Sequence, residues 1–127
     1  MTALQGGCHC GKVRIEVNAD PDIEAVECNC SICRMSGYLH LLVAKSDFRI
    51  LQGEDELENY QFKSKIAKHF FCRTCGIKSF YVPRSHPDGV SVNVNCLDQE
   101  GIQSVTVTPF DGANWSKNVH KLSPISD

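Results

Sequence analysis

Three cysteine clusters hold most of the residues in this 127-residue chain that could do chemistry. Cys8-His-Cys10 is a C-x-C pair, Cys28-Asn-Cys30-Ser-Ile-Cys33 a C-x-C-x-x-C triplet, and Cys72-Arg-Thr-Cys75 a C-x-x-C pair. Pairs at these spacings bring two thiolates to one metal ion. Zinc takes four ligands in a tetrahedron at a structural site, but three protein ligands and one open position at a catalytic one. The outer pairs supply four sulfurs and the middle cluster supplies three. The spacing therefore predicts two zinc ions per chain, one closed over Cys8, Cys10, Cys72 and Cys75 and one open over Cys28, Cys30 and Cys33.

The closed site would staple the N-terminal segment to the second half of the chain. Structural zinc sites bind with about 10–16 kcal/mol of apparent free energy at neutral pH, as much as the whole stability of many domains. Gly76, just after the second pair, suits a tight turn whose N–H groups point at sulfur. The open site differs in charge. Three thiolates on a divalent ion leave a net charge near minus one, a weaker Lewis acid than three imidazoles would leave, yet one that takes a fourth sulfur readily. Such a site suits delivery of a metal-bound thiolate to an electrophile better than generation of hydroxide. Two other arrangements compete. Cys96 could complete a second four-cysteine site, although a lone cysteine after a strand reads as a small buried hydrophobe. Alternatively, eight cysteines could form a disulfide framework, for which about 105 pairings exist.

The elements that must position these clusters read mostly as short strands. In Lys12–Val17 the apolar Val13, Ile15 and Val17 alternate with polar residues, the period of a half-buried strand. Asn18–Asp22 reads as a turn around Pro21, and a second strand runs through Ala25-Val26-Glu27 into Cys28. Cys30–Gly37 has room for little more than one helical turn. Further strand-length apolar stretches lie at Tyr38–Ala44, Phe48–Leu51, Leu57–Phe62, Ala67–Phe71, Ile77–Val82, Val90–Val94 and Ser104–Pro109. This spacing indicates an all-β sandwich or open barrel. The length and the 42% hydrophobic fraction fit a single globular domain over residues 1–127, with a polar, loosely packed tail after Trp115. A net charge of −2 leaves no electrostatic footprint for nucleic acid, and no apolar run reaches the roughly 18 residues of a membrane span. The N-terminus has no signal-peptide pattern, so the expected location is the cytoplasm, where clustered thiols stay reduced and hold metal.

Gly6-Gly-Cys-His-Cys-Gly11, the C-x-C-x-x-C and Phe71-Cys-Arg-Thr-Cys-Gly76 together resemble the glutathione-dependent formaldehyde-activating enzyme family, which includes centromere protein V. Ser79–Ser85, Cys96-Leu-Asp98 and Phe110–Trp115 extend the resemblance over about residues 6–115. The Pro83-Arg-Ser85 loop and the Phe-Asp-Gly segment look closer to the centromere protein V branch. The resemblance implies a β-tent, a small mainly β fold of short antiparallel strands stapled by zinc. It implies Cys8, Cys10, Cys72 and Cys75 as structural-zinc ligands, and Cys28, Cys30 and Cys33 as ligands of a catalytic zinc. The implied activity is that of a carbon–sulfur lyase that condenses glutathione with formaldehyde to S-hydroxymethylglutathione. The alternative in a different class is a non-catalytic, zinc-stabilised binding or scaffold module related to centromere protein V.

Among other polar residues, Arg84 sits in the loop Val82-Pro-Arg-Ser-His-Pro87, and its guanidinium suits bidentate capture of a tripeptide carboxylate. Arg34 and Tyr38 border the open site in sequence and could line its pocket. His9 is expected to face away from the metal that its neighbours share. His40 and His69 read as satisfied strand histidines, either of which could relay a proton. Lys63, Lys65 and Lys68 read as a solvated strand face, and Trp115 as a core or lid residue.

Overall fold

A computed structural model describes residues 1–62, 67–83 and 85–111. The alternation read in the sequence becomes β2 (Arg14–Ala19), whose Ile15 and Val17 are fully buried. It is the middle of a three-stranded antiparallel sheet, between β1 (Thr2–Gly7) and β5 (Phe48–Gln52). β1 carries no clear apolar period, and pairing with β2 makes it a strand. Leu4 sits opposite Val17 and is 1% exposed. The turn expected over Asn18–Asp22 is shorter than that, because β2 runs on to Ala19 and β3 begins at Asp22. Asp20 accepts the Asp22 N–H at 2.9 Å, so its side chain closes the reversal within two residues.

The second sheet has seven strands. They are β3 (Asp22–Cys28), β4 (Leu39–Ala44), β6 (Leu57–Tyr60), β7 (Lys68–Cys72), β8 (Phe80–Val82), β9 (Gly89–Asn93) and β10 (Ser104–Phe110). Their spatial order is β10-β3-β4-β9-β8-β7-β6. Each pairing is antiparallel except that of β10 with β3, which is parallel. The expected mainly β architecture of short strands is the one observed, with one helix of six residues, α1 (Ser31–Ser36), among the described residues.

Register assigns the two faces of this sheet to different tasks. Directly paired residues share a face and alternate along each strand. Leu41 pairs with Val92, Val43 with Val90, Phe80 with Val92, and Phe70 with Phe80. That face packs on Leu4, Ile15 and Val17 of the small sheet to form the main core. One residue along, His40 pairs with Asn93, Ser91 with Tyr81, and Tyr81 with His69. The second face is thus a buried row of polar and aromatic side chains, and the segment carrying Cys28, Cys30 and Cys33 packs over it. β9 is buried at all five positions because both faces are covered.

Candidate metal centres and cleft

Cys8 and Cys10 follow β1 of the small sheet, while Cys72 closes β7 of the large one and Cys75 lies in the turn that follows. The four sulfurs lie within 4.8 Å of one another. Cys8 Sγ is 3.6 Å from Cys10 Sγ, which is 3.7 Å from Cys72 Sγ. Zinc–sulfur bonds of about 2.3 Å place tetrahedral sulfurs about 3.8 Å apart, so the donor set fits a zinc ion. Backbone N–H groups stabilise sulfur charge. Val13 N–H reaches Cys8 at 3.3 Å, and hydrogen bonds from Cys75 and Thr74 N–H hold the Cys72 thiol below its ordinary range. Gly76 sits at φ +77°, the turn conformation expected after the knuckle. Gly7 allows the chains to meet here, since a Cβ on it would stand 2.0 Å from the Val13 carbonyl oxygen.

The second centre is built where β3 ends and α1 begins. Cys30 and Cys33 lie one turn apart, with Arg34 N–H bonded to the Cys30 carbonyl at 2.9 Å, so both thiols project on one side. Cys28 reaches them from the strand. The three thiols share hydrogen bonds. Donation from Cys28 and Cys33 holds Cys30 far below the ordinary thiol range, while the same bonds and burial push Cys33 well above it.

A buried imidazole that local spacing could not show lies against this cluster. His40 Nε2 lies 3.1 Å from Cys33 Sγ, and the ligand atoms of Cys28, Cys33 and His40 fall within 4.8 Å of one another. The set at that spacing does not include Cys30. Ser91 Oγ, at 2.9 Å, and Tyr81 OH, at 3.2 Å, engage His40 Nδ1 and fix the ring. Burial first, and then the Lys78 charge, lower the His40 pKa to about 4, so the imidazole is neutral at neutral pH. Thiol-rich donors suit zinc here also.

Beneath the thiols, Tyr38 donates to the Ser91 carbonyl at 2.6 Å, and its ring lies 4.5 Å from that of His40. His69 stacks on Tyr81 at 4.7 Å, and its Nδ1 lies 3.0 Å from Lys78 Nζ. Beside this layer a cleft of about 1180 Å³ opens between β3, β4, α1 and β10, with Cys28, Cys33, Arg34, Tyr38 and His40 in its lining.

Arg34 and Tyr38 thus line the pocket as expected, and His9 is exposed. Cys96 belongs to neither ligand set. It faces the Lys78 carbonyl at 3.8 Å, and burial raises its thiol to about 11. Arg84, Lys63, Lys65 and Trp115 lie outside the described residues, while Lys68 is exposed. The reading of His40 as a strand histidine stopped short of the site, and Lys78 carried no expectation. Their signal was a polar residue within an apolar stretch, which acquires meaning once β4, β8 and β9 are in register.

The family model for glutathione-dependent formaldehyde-activating enzymes matches residues 3–111. A Halomonas elongata protein named "Putative glutathione-dependent formaldehyde-activating enzyme" is 27% identical over 105 residues, which span 76% of this chain and 67% of that protein. A crystal structure of a Rhodobacter sphaeroides protein superposes with a TM-score of 0.71 at 41% identity, over 82% of this chain and 99% of that one. These likenesses reach the family and not the centromere protein V branch within it. The chain belongs to the glutathione-dependent formaldehyde-activating enzyme family.

Proposed function

We propose that the cluster of Cys28, Cys30 and Cys33, beside the cleft that Cys28 and Cys33 line, joins glutathione, or a similar small thiol, to formaldehyde or another small aldehyde. The product is an S-hydroxymethyl adduct, and the reaction class is that of a carbon–sulfur lyase. The observation that carries this reading is a three-thiol cluster, two of whose members, Cys28 and Cys33, line an open cleft, in a chain of this family. In this reading Cys8, Cys10, Cys72 and Cys75 hold a structural zinc, and Cys28, Cys30 and Cys33 hold a second one. A zinc ion at the second centre supplies a sulfur-seeking Lewis acid that favours the thiolate form of an incoming thiol.

The chain's own residues do the rest. In the reaction a carbon–sulfur bond forms, the carbonyl π bond breaks, and the thiol proton ends on the former carbonyl oxygen. His40, neutral and anchored by Ser91 and Tyr81, is placed at the sulfur cluster to hold that proton in passage. Arg34, exposed on the cleft, and Arg84, outside the described residues, are the guanidinium partners proposed for a glutathione carboxylate. The cleft walls bring the two reactants together, and that proximity is a main part of the rate gain. We place the activity in the cytoplasm and assign it to one domain spanning 1–127, with its motifs between about 6 and 115. No helix among the described residues is long and apolar enough to cross a membrane.

The test is exchange NMR between glutathione plus formaldehyde and S-hydroxymethylglutathione. The uncatalysed reaction sets the baseline. Zinc-loaded protein is expected to raise the exchange rate above it, and Cys30→Ser to remove the excess. An excess that survives in zinc-loaded Cys30→Ser contradicts the assignment of the cluster, and no excess in the wild type contradicts the activity.

A further inference from the structure

Lys78 is a buried cation without a carboxylate. It lies between the Cys72–Cys75 knuckle and β8, and it is 8% exposed. Lysine is almost never buried unless its charge is paired. Among the described residues, none of the ion pairs includes it. Its ammonium donates to His69 Nδ1 at 3.0 Å, and it stands over the faces of Tyr38 and Tyr81, 4.7 and 4.8 Å from their ring centroids. These are neutral partners. Burial holds the His69 pKa down at about 4, so this imidazole accepts rather than repels. Ring faces solvate a cation but do not cancel its charge. The second centre lies one aromatic layer away: Tyr38 and Tyr81 pack against Cys33, and His40, whose ring is 4.5 Å from that of Tyr38, has its Nε2 3.1 Å from Cys33 Sγ.

We propose that Lys78 is a positioning cation for the second centre, whose charge lets that centre accept a fourth, substrate-borne thiolate. The charge balance gives the reason. A divalent ion on three thiolates has a net charge near minus one, and Lys78 neutralises it. When a substrate thiolate enters, the ion and its ligands reach minus two within a largely buried shell. Lys78 then halves the uncompensated charge. A neutral donor such as imidazole brings no such demand. Lys78 is thus a selector for anionic sulfur ligands, acting through the field and not by touching the reacting atoms. This rests on the thiol-binding reading proposed above.

The test measures binding rather than turnover. Cobalt(II)-loaded protein is titrated with glutathione, and separately with imidazole, following the sulfur-to-cobalt charge-transfer band and the visible ligand-field bands. A nearby opposite charge is worth about one to three pK units, so removing it weakens thiolate binding about tenfold to a thousandfold. The expected result is that Lys78→Met still binds two cobalt ions and imidazole as the wild type does. It binds glutathione at least about tenfold more weakly, and Lys78→Arg recovers most of the loss. Wild-type glutathione affinity in Lys78→Met overturns the proposal and leaves the activity standing. Equal losses for imidazole and glutathione assign Lys78 a purely structural part and also overturn it. A wild type that admits no thiol at all contradicts the underlying activity as well. If Lys78→Met does not fold, the zinc-loaded wild type still decides. The carbon-13 resonance of the Lys78 ε-methylene should move when glutathione is added and stay still in Cys30→Ser. No movement in the wild type overturns the proposal.

Discussion

Two histidines with the same sequence-level description end up in different roles. His40 and His69 both lie in strands and both face the polar side of the large sheet. One stands against Cys33 and the other holds Lys78. Burial lowers the pKa of each to about 4, from an ordinary value of 6.5. The unfolded chain therefore takes up a proton at each site as pH falls through 6.5, while the folded chain resists until about 4. Stability is fully present above 6.5 and is lost between 6.5 and 4. For His69, which is no part of the proposed metal shells, the expected outcome is that His69→Gln flattens the fall in urea midpoint between pH 6.5 and 4. An unchanged slope would show that His69 is not neutral in the folded protein. The cysteine ligands were legible from spacing because a C-x-C or C-x-x-C pair meets within one turn of chain. His40, Ser91 and Lys78 were not legible as a group, because only strand pairing across a sequence separation of as much as 51 brings them together.

At the level of elements, period-two alternation located β2, and strand-length apolar stretches located most of the large sheet. It missed β1, whose glycines leave no pattern to read. Those glycines are a requirement of close approach, since a Cβ on Gly6 would meet the Cys96 carbonyl oxygen at 2.3 Å and one on Gly7 the Val13 oxygen at 2.0 Å. Gly7→Ala should cost about 2 kcal/mol or more of unfolding free energy, the scale of an overpacked core, with a lower metal affinity at the adjacent first centre. A thermal melt like that of the wild type would show that β1 can shift away. The parallel pairing of β10 with β3 was likewise out of reach of local pattern. It decides where Phe110 and Asp111 border the cleft. The knuckle after β7 has a second consequence, because Lys78 lies only three residues beyond Cys75. Disturbing the first centre should therefore weaken thiol binding at the second.

In the whole molecule, two sheets share one core and one proposed metal staple. Cys8 and Cys10 follow β1 of the small sheet, while Cys72 closes β7 of the large one and Cys75 lies in the turn that follows. A zinc site worth about 10–16 kcal/mol rivals a total stability of about 5–15 kcal/mol. Cys72→Ser should thus leave a chain without a cooperative thermal transition, whereas Cys30→Ser should melt within a few degrees of the wild type. The reverse order of damage, read by circular dichroism, would exchange the two roles. The central claim is that one centre is closed and the other open, and cadmium-113 NMR tests it most directly. The cadmium-loaded protein is predicted to show two resonances in the sulfur-rich range. On addition of glutathione one should stay fixed, and the other should move toward the shift of a site with one more sulfur and vanish in Cys30→Ser. Two resonances that both ignore glutathione would mean two closed sites and would contradict the account.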